Sequence, residues 1–247
     1  MSVNRTGATR PTISTPSDVL DIAPVIPVVV IDDVAHAVPL AEALVQGGIP
    51  IIEITLRSSA ALAAIERVAS QVPGIVVGAG TVLGPAQVRQ VVDAGAQFLV
   101  TPGSPPRLLE SAIDSGLPLL PGASTLTEML ALAEAGLTVQ KFFPAEASGG
   151  REYLSAVAGP CPQLRFCPTG GVSPRTAAGW LAMPNVGCVG GTWLTPQDAV
   201  VQQDWEQITG LARAAAAFRV GESVGVLAAQ ISISNPSTAT SIPRRSR

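Results

Sequence analysis

Short β-branched runs alternate with Ala/Leu-rich stretches of helical spacing from residue 25 to residue 217, and no other feature of the chain restricts its fold as much. The runs are Val25 to Ile31, Ile49 to Leu56, Ile75 to Thr81, Phe98 to Thr101, Pro118 to Leu120, Val139 to Phe143, Leu164 to Pro168 and Val186 to Val189. Helical spacing fills the gaps over Ala37 to Gln46, Ala60 to Gln71, Pro85 to Ala94, Pro105 to Ser115, Leu126 to Ala135, Arg151 to Val157 and Pro174 to Leu181, with Trp205 to Ala217 after the last run. Several of these stretches open on proline, which suits a first helical turn. Gly48, Gly95, Gly116 and Gly136 stand where a helix gives way to the next strand, a place that commonly needs a left-handed residue. Units of this kind, repeated eight times, predict an α/β fold of the (β/α)8 TIM barrel type. A doubly wound open sheet uses the same alternation. Polar residues favour the barrel: Arg57, Thr81, Thr101, Thr169 and Thr192 all fall at or just beyond carboxyl ends of predicted strands, where barrels hold their reactive groups.

With 247 residues and 47% hydrophobic content, the chain can bury one barrel-sized core, assigned to residues 17–220. Residues 1–16 carry Arg5, Arg10, several Ser and Thr and no acid, a composition that overlaps with transit peptides and reads more simply as a disordered tail. Residues 221–247, rich in Ser and Thr and closing on Arg244, Arg245 and Arg247, read as a second, flexible tail. A formal net charge of −3 leaves no basic footprint for nucleic acid and none for an anionic membrane surface. No apolar stretch reaches the roughly 18 uninterrupted residues of a membrane span. Cys161, Cys167 and Cys188 lack the paired short spacing of a zinc site and read as small core residues in a reducing compartment, so a soluble, cytoplasmic protein is expected.

Of the fifteen basic residues, one is lysine: Lys141, inside the apolar run Val139-Gln140-Lys141-Phe142-Phe143-Pro144. Arginine serves wherever else a positive charge is used, so the exception points to a task that a permanently protonated guanidinium cannot perform. An amine in apolar surroundings gives up hydration of its charged form, which leaves a neutral fraction able to attack a carbonyl carbon. In Ile51-Ile52-Glu53-Ile54-Thr55-Leu56-Arg57, strand alternation puts Glu53, Thr55 and Arg57 on one face. If the barrel closes, Glu53 and Lys141 both point inward and share a substrate between them. Desolvation would raise and nearby cations would lower the proton affinity of Glu53, and either makes it a candidate proton carrier. A structural ion pair with an arginine is the alternative for Glu53. Arg57 lies at the mouth on the same side, where its planar fork suits a substrate carboxylate; a loop-holding salt bridge is its alternative.

Pro168-Thr169-Gly170-Gly171-Val172-Ser173-Pro174 leads from a strand through two glycines into a helix start, and Val189-Gly190-Gly191-Thr192 offers a second set of backbone amides with a hydroxyl. Two Gly-Gly turns after the last two strands of a barrel form a candidate phosphate grip. Gly78-Ala79-Gly80-Thr81-Val82-Leu83 begins like a dinucleotide fingerprint, but Leu83 stands where the third glycine belongs, so no nucleotide cofactor is expected. His36, the only histidine, reads as structural, and a chain with one histidine is a poor candidate for metal catalysis. The prediction is therefore catalysis with neither metal nor cofactor.

Four separated blocks, Ile52-Glu53-Ile54-Thr55-Leu56-Arg57, Gly78-Ala79-Gly80-Thr81-Val82-Leu83, Lys141-Phe142-Phe143-Pro144-Ala145-Glu146 and Arg165-Phe166-Cys167-Pro168-Thr169-Gly170-Gly171, occur in an order that resembles the bacterial 2-keto-3-deoxy-6-phosphogluconate (KDPG) aldolases over about residues 18–218. The resemblance implies a (β/α)8 barrel, usually a homotrimer, that cleaves a phosphorylated keto acid to pyruvate and glyceraldehyde 3-phosphate through a Schiff base on Lys141. It further implies Glu53 as acid/base, Arg57, Thr81 and Pro102 as the pyruvate-end pocket with Phe143 lining it, and Gly170, Gly171 and Thr192 at the phosphate. Thr192 stands where the family more often has serine, which keeps the hydroxyl and adds a methyl. Two other readings stay open: the same chemistry on 2-keto-4-hydroxyglutarate or 2-keto-3-deoxy-6-phosphogalactonate, and a non-catalytic barrel that binds phosphometabolites or serves in assembly.

Overall fold

A computed structural model of the protein describes residues 9–219. Strands β1 (Val25–Val29), β2 (Ile51–Thr55), β3 (Val76–Gly80), β4 (Phe98–Val100) and β5 (Leu119–Leu120) form a curled six-stranded parallel sheet with β9 (Val189–Gly191), in the order β5-β4-β3-β2-β1-β9. Strands β6 (Gly122–Ala123), β7 (Val139–Phe142) and β8 (Arg165–Pro168) form a three-stranded parallel sheet. Pro121 divides β5 from β6. It has no N–H to donate, while its carbonyl accepts from the Lys141 N–H at 2.9 Å, so one ladder ends there and the other begins. Between β8 and β9 the pairing shrinks to two isolated bridges, Phe166 with Val186 and Thr169 with Gly190.

Strands β1, β2 and β3 are buried along their whole length, as parallel strands covered on both faces should be. Helices α2 (Ala37–Gln46), α3 (Ala61–Gln71), α4 (Pro85–Asp93), α5 (Pro106–Asp114), α6 (Leu126–Glu134), α7 (Gly150–Ala158), α8 (Pro174–Leu181) and α10 (Trp205–Ala216) follow the predicted stretches closely. The four inter-element glycines take left-handed angles, Gly48 at φ +86°, Gly95 at +85°, Gly116 at +72° and Gly136 at +83°. On β7 the alternation separates two environments. Phe142 faces the helices, stacked on Tyr153 of α7 at 5.8 Å and tilted against Trp180 of α8 at 6.3 Å, while Lys141 faces the other way. Emptying the Phe142 position would cost about 3–5 kcal/mol and would loosen the strand that carries the lysine.

Three parts of the chain differ from the sequence-based expectation. The last strand begins at Val189 and not at Val186, because its register is set by β1, where Val25 pairs with Val189, against the weak strand propensity of Gly190 and Gly191. Helices α1 (Pro16–Ile22) and α9 (Gln197–Val201) are additional. Residues 9–16, expected in the N-terminal tail, run against the body. Arg10 Nη2 donates to Ala69 O at 2.9 Å, and Thr15 and Asp18 form a capping box that starts α1. Such contacts need single polar groups in register and no apolar stripe, so composition does not reveal them. Residues 1–8 and the tail assigned to 221–247 lie outside the described residues. Among the described residues no helix is long and apolar enough to cross a membrane.

Candidate active site

Parallel register places Glu53 of β2 beside Val28 of β1 and Gly78 of β3, and Lys141 of β7 beside Gly122 of β6 and Cys167 of β8. Residues so paired share a face, and the two faces meet inside the fold. Lys141 Nζ donates to Glu53 Oε1 at 3.2 Å across 88 residues of sequence, with Lys141 5% and Glu53 3% exposed. The Phe143 ring lies 5.4 Å from the same nitrogen. The partner of Glu53 is thus the single lysine and not an arginine. A buried ion pair returns little net stability, because desolvating two charges offsets their attraction; what the interior gains is an amine and a carboxylate held in contact. Gly80 makes the room, since a methyl there would overlap the Glu53 carboxylate. A methyl at Gly78 would overlap the Phe98 ring, so the glycines of Gly78-Ala79-Gly80 accommodate neighbouring side chains.

Glu53, Arg57, Thr81, Pro102, Lys141, Phe143, Gly170, Gly171 and Thr192 all border one cavity of about 320 Å³, at the small end of the range for ligand sites, about 300–1,000 Å³. The nine residues named for the reaction and for the substrate therefore meet in one place, whereas Thr101, also at a strand end, does not border the cavity. Val28, Thr169, Val172, Gly190 and Gly191 complete the lining. At one end Thr55 donates its hydroxyl to Val29 O at 2.9 Å and accepts from Arg57 Nε at 3.3 Å. Arg57 makes no ion pair among the described residues, so its fork is not spent on a loop. Thr81 has φ +56°, a left-handed angle that a β-branched residue adopts at a cost of about 1–3 kcal/mol and that marks functional sites. Pro102 packs so closely on Gly122 that any side chain there would overlap it. Thr101 Oγ1 accepts from Gly122 N and Ser104 Oγ donates to Gly122 O, each at 3.1 Å, which pins the Pro102 turn beside the break at Pro121.

At the other end Gly170 and Gly171 are both left-handed, φ +99° and +83°, and lead into α8, whose start is tied by Ser173 N donating to Thr176 Oγ1 at 3.0 Å. Gly190 leaves space for the Thr169 side chain and Gly191 for the Trp193 ring. The sequence marks these glycines for close approach to an anion, with Gly190 and Gly191 in a turn; both instead lie within β9, where pairing with β1 holds them, and three of the four, Gly171 included, also make space for neighbouring side chains. His36 lies apart, edge-on to Trp205 at 5.9 Å, on a neighbouring cavity of about 660 Å³. That larger cavity holds neither Lys141 nor Glu53, so size does not pick out the reactive site. No group of three or more His, Cys, Asp or Glu able to hold a metal ion occurs among the described residues.

The sequence profile described as KDPG and KHG aldolase matches residues 17–211. A 2-dehydro-3-deoxy-phosphogluconate aldolase of Pseudoalteromonas atlantica is 48% identical over 204 residues, covering 83% of this chain and 95% of that protein. A KHG/KDPG aldolase of Escherichia coli K12 is 49% identical over 197 residues, 80% of this chain and 92% of its own length. Among solved structures, a KDPG aldolase from Legionella pneumophila, with pyruvate captured at low pH as a covalent carbinolamine intermediate, superposes with a TM-score of 0.80 at 42% identity, over 82% of this chain and 98% of that one. The chain belongs to the KDPG and KHG aldolase family.

Proposed function

We propose that the protein is a class I aldolase that cleaves 2-keto-3-deoxy-6-phosphogluconate to pyruvate and glyceraldehyde 3-phosphate through an imine on Lys141. The observation that carries this reading is the 3.2 Å contact between the buried Lys141 amine and the Glu53 carboxylate at the cavity. A carboxylate in contact with the amine can accept its proton, which frees the nitrogen lone pair for attack on the C2 carbonyl. The resulting carbinolamine takes that proton from Glu53 onto its hydroxyl and loses water, which gives a cationic imine and restores the Glu53 carboxylate. Breaking the C3–C4 bond then sends its electron pair into the imine, forming a neutral enamine in place of a carbanion of very high energy. Glu53 takes the proton of the C4 hydroxyl as that carbon becomes the departing aldehyde, directly or through one water, and returns a proton to C3 of the enamine. Hydrolysis of the remaining imine releases pyruvate and restores the amine.

Arg57, Thr81 and Pro102 are assigned to the carboxylate end, Phe143 to the wall over the amine, and the Gly170-Gly171 turn with the Gly190-Gly191 end of β9 and Thr192 to the phosphate. We read the strands as a closed (β/α)8 barrel in which β5 and β6 count as one strand broken at Pro121, and the bridges at Phe166 and Thr169 join β8 to β9. A cytoplasmic homotrimer needing neither metal nor cofactor completes the proposal. The E. coli relative's KHG/KDPG name keeps 2-keto-4-hydroxyglutarate as a second substrate, and pyruvate release from a panel of keto acids, with the phosphogalactonate included, ranks them. Borohydride reduction in the presence of pyruvate should leave one adduct, on Lys141, found by peptide mapping; an adduct elsewhere, or none, removes the mechanism.

A further inference from the structure

Glu146 does not border the reaction cavity, yet two contacts tie it to the turn assigned to the phosphate and a third to the helix that follows. Its backbone N–H donates to Gly170 O at 3.1 Å, next to the bond from Ala145 N to Thr169 O at 2.8 Å. Its Cβ and Cγ occupy the space that a side chain at Gly171 would need, standing 2.7 and 2.6 Å from where a methyl would be. Its Oε1 accepts the indole N–H of Trp180 at 3.0 Å. Trp180 belongs to α8, the helix into which the turn leads, and is fully buried. A buried indole N–H requires an acceptor, and the Glu146 side chain, exposed on its other side, supplies it.

We infer that Glu146 is a positioning residue for the phosphate end of the site, holding Gly170 and Gly171 between the exit of β7 and the body of α8. Two consecutive glycines are free to move through many conformations when unsupported, and ordering them when a dianion arrives would subtract from affinity. Glu146 removes that cost beforehand, from the side of the turn that the substrate does not touch. The inference rests on the aldolase reading above. It predicts an effect confined to ligands that carry the phosphate, because Lys141 and Glu53 are held by other contacts.

The test uses Glu146→Ala, Glu146→Gln and Trp180→Phe in the full chain, with two reactions. One is cleavage of the phosphorylated substrate; the other is exchange of pyruvate methyl hydrogens in D2O, which needs the imine and no phosphate. Glu146→Ala should raise KM for the phosphorylated substrate about five- to tenfold with pyruvate exchange unchanged. Glu146→Gln keeps the stem and a carbonyl acceptor and should stay within about twofold of the parent, while Trp180→Phe should give a smaller rise in KM, since it leaves no N–H unpaired. Equal losses in both reactions for Glu146→Ala, or an unchanged KM, overturn the inference. If that variant does not fold, an unchanged KM in Trp180→Phe does so. The parent enzyme separates the two readings: no cleavage and no exchange there refutes the aldolase assignment, whereas an active parent with unaffected variants refutes the role of Glu146 alone.

Discussion

The two ends of the cavity are made of different material. At the reaction end, side chains from β2 and β7 meet in the interior, Glu53 and Lys141 both almost inaccessible to water. At the phosphate end, the backbone of the Gly170-Gly171 turn and of the carboxyl end of β9 borders the cavity, with Gly171 and Thr192 exposed. The difference follows from what each end must do. Bond cleavage needs an amine and a carboxylate at a fixed short distance, and only packed strands hold side chains that closely. Binding a dianion needs several donors at once, and a left-handed glycine turn at a helix start supplies them from the main chain.

Removing the nucleophile should break the reaction end outright. Lys141→Arg keeps the charge and discards the attack, so kcat for pyruvate release should fall on the order of 10⁴-fold or more; a variant that retains a few per cent of activity would erase the distinction between the ends. Gly80→Ala should come next. Its methyl would displace the Glu53 carboxylate, and kcat should drop on the order of 10²-fold, the scale of a mispositioned acid/base. Gly171→Ala attacks the other end, through both its positive φ and its contact with Glu146. KM for the phosphorylated substrate should rise about tenfold while pyruvate exchange holds; a matching fall in exchange would mean the ends are not separable.

The smallest effect sharpens the comparison by leaving both ends alone. Glu128 caps α6 with Thr125, and its carboxyl is held below the usual glutamate range, first by the Ser124 N–H, against opposition from partial burial and with further help from Thr125 and the Ser124 hydroxyl. A group whose folded value lies below its unfolded one stabilises fully above the unfolded value and loses that contribution as pH falls through the folded one. Glu128→Gln should therefore lower Tm only slightly at neutral pH, because the group is exposed and screened and Gln still caps the helix, and should flatten the decline of Tm on acidification. Activity at pH 7 should not change.

Much of the reaction end was legible in the chain. Strand alternation put Glu53, Thr55 and Arg57 on one face, and the isolation of Lys141 among arginines marked it without reference to structure. The partner of Glu53 was not legible, because an inward carboxylate is satisfied by lysine or arginine alike. Nor was the left-handed angle of Thr81, since a β-branched residue gives no local hint of φ +56°. The reason for Gly80 was equally hidden: a glycine in a strand reads as a bulge or a ligand approach, and the neighbour it makes room for comes from β2. Glu146 stood in plain view within a recognised block, yet its contacts with Gly171 and Trp180 come from later parts of the chain.

The sequence by itself determined the order and kind of the elements and nominated the reactive amine, because periodicity, helix starts and unusual residue choices are recorded among near neighbours along the chain. Tertiary structure alone decided that residues 53 and 141 touch, that Pro121 splits a strand between two ladders, and that the last strand starts at Val189. Those outcomes depend on which strands lie side by side, and pairing between distant segments is fixed by the packing of the whole sheet, which no local window of residues contains.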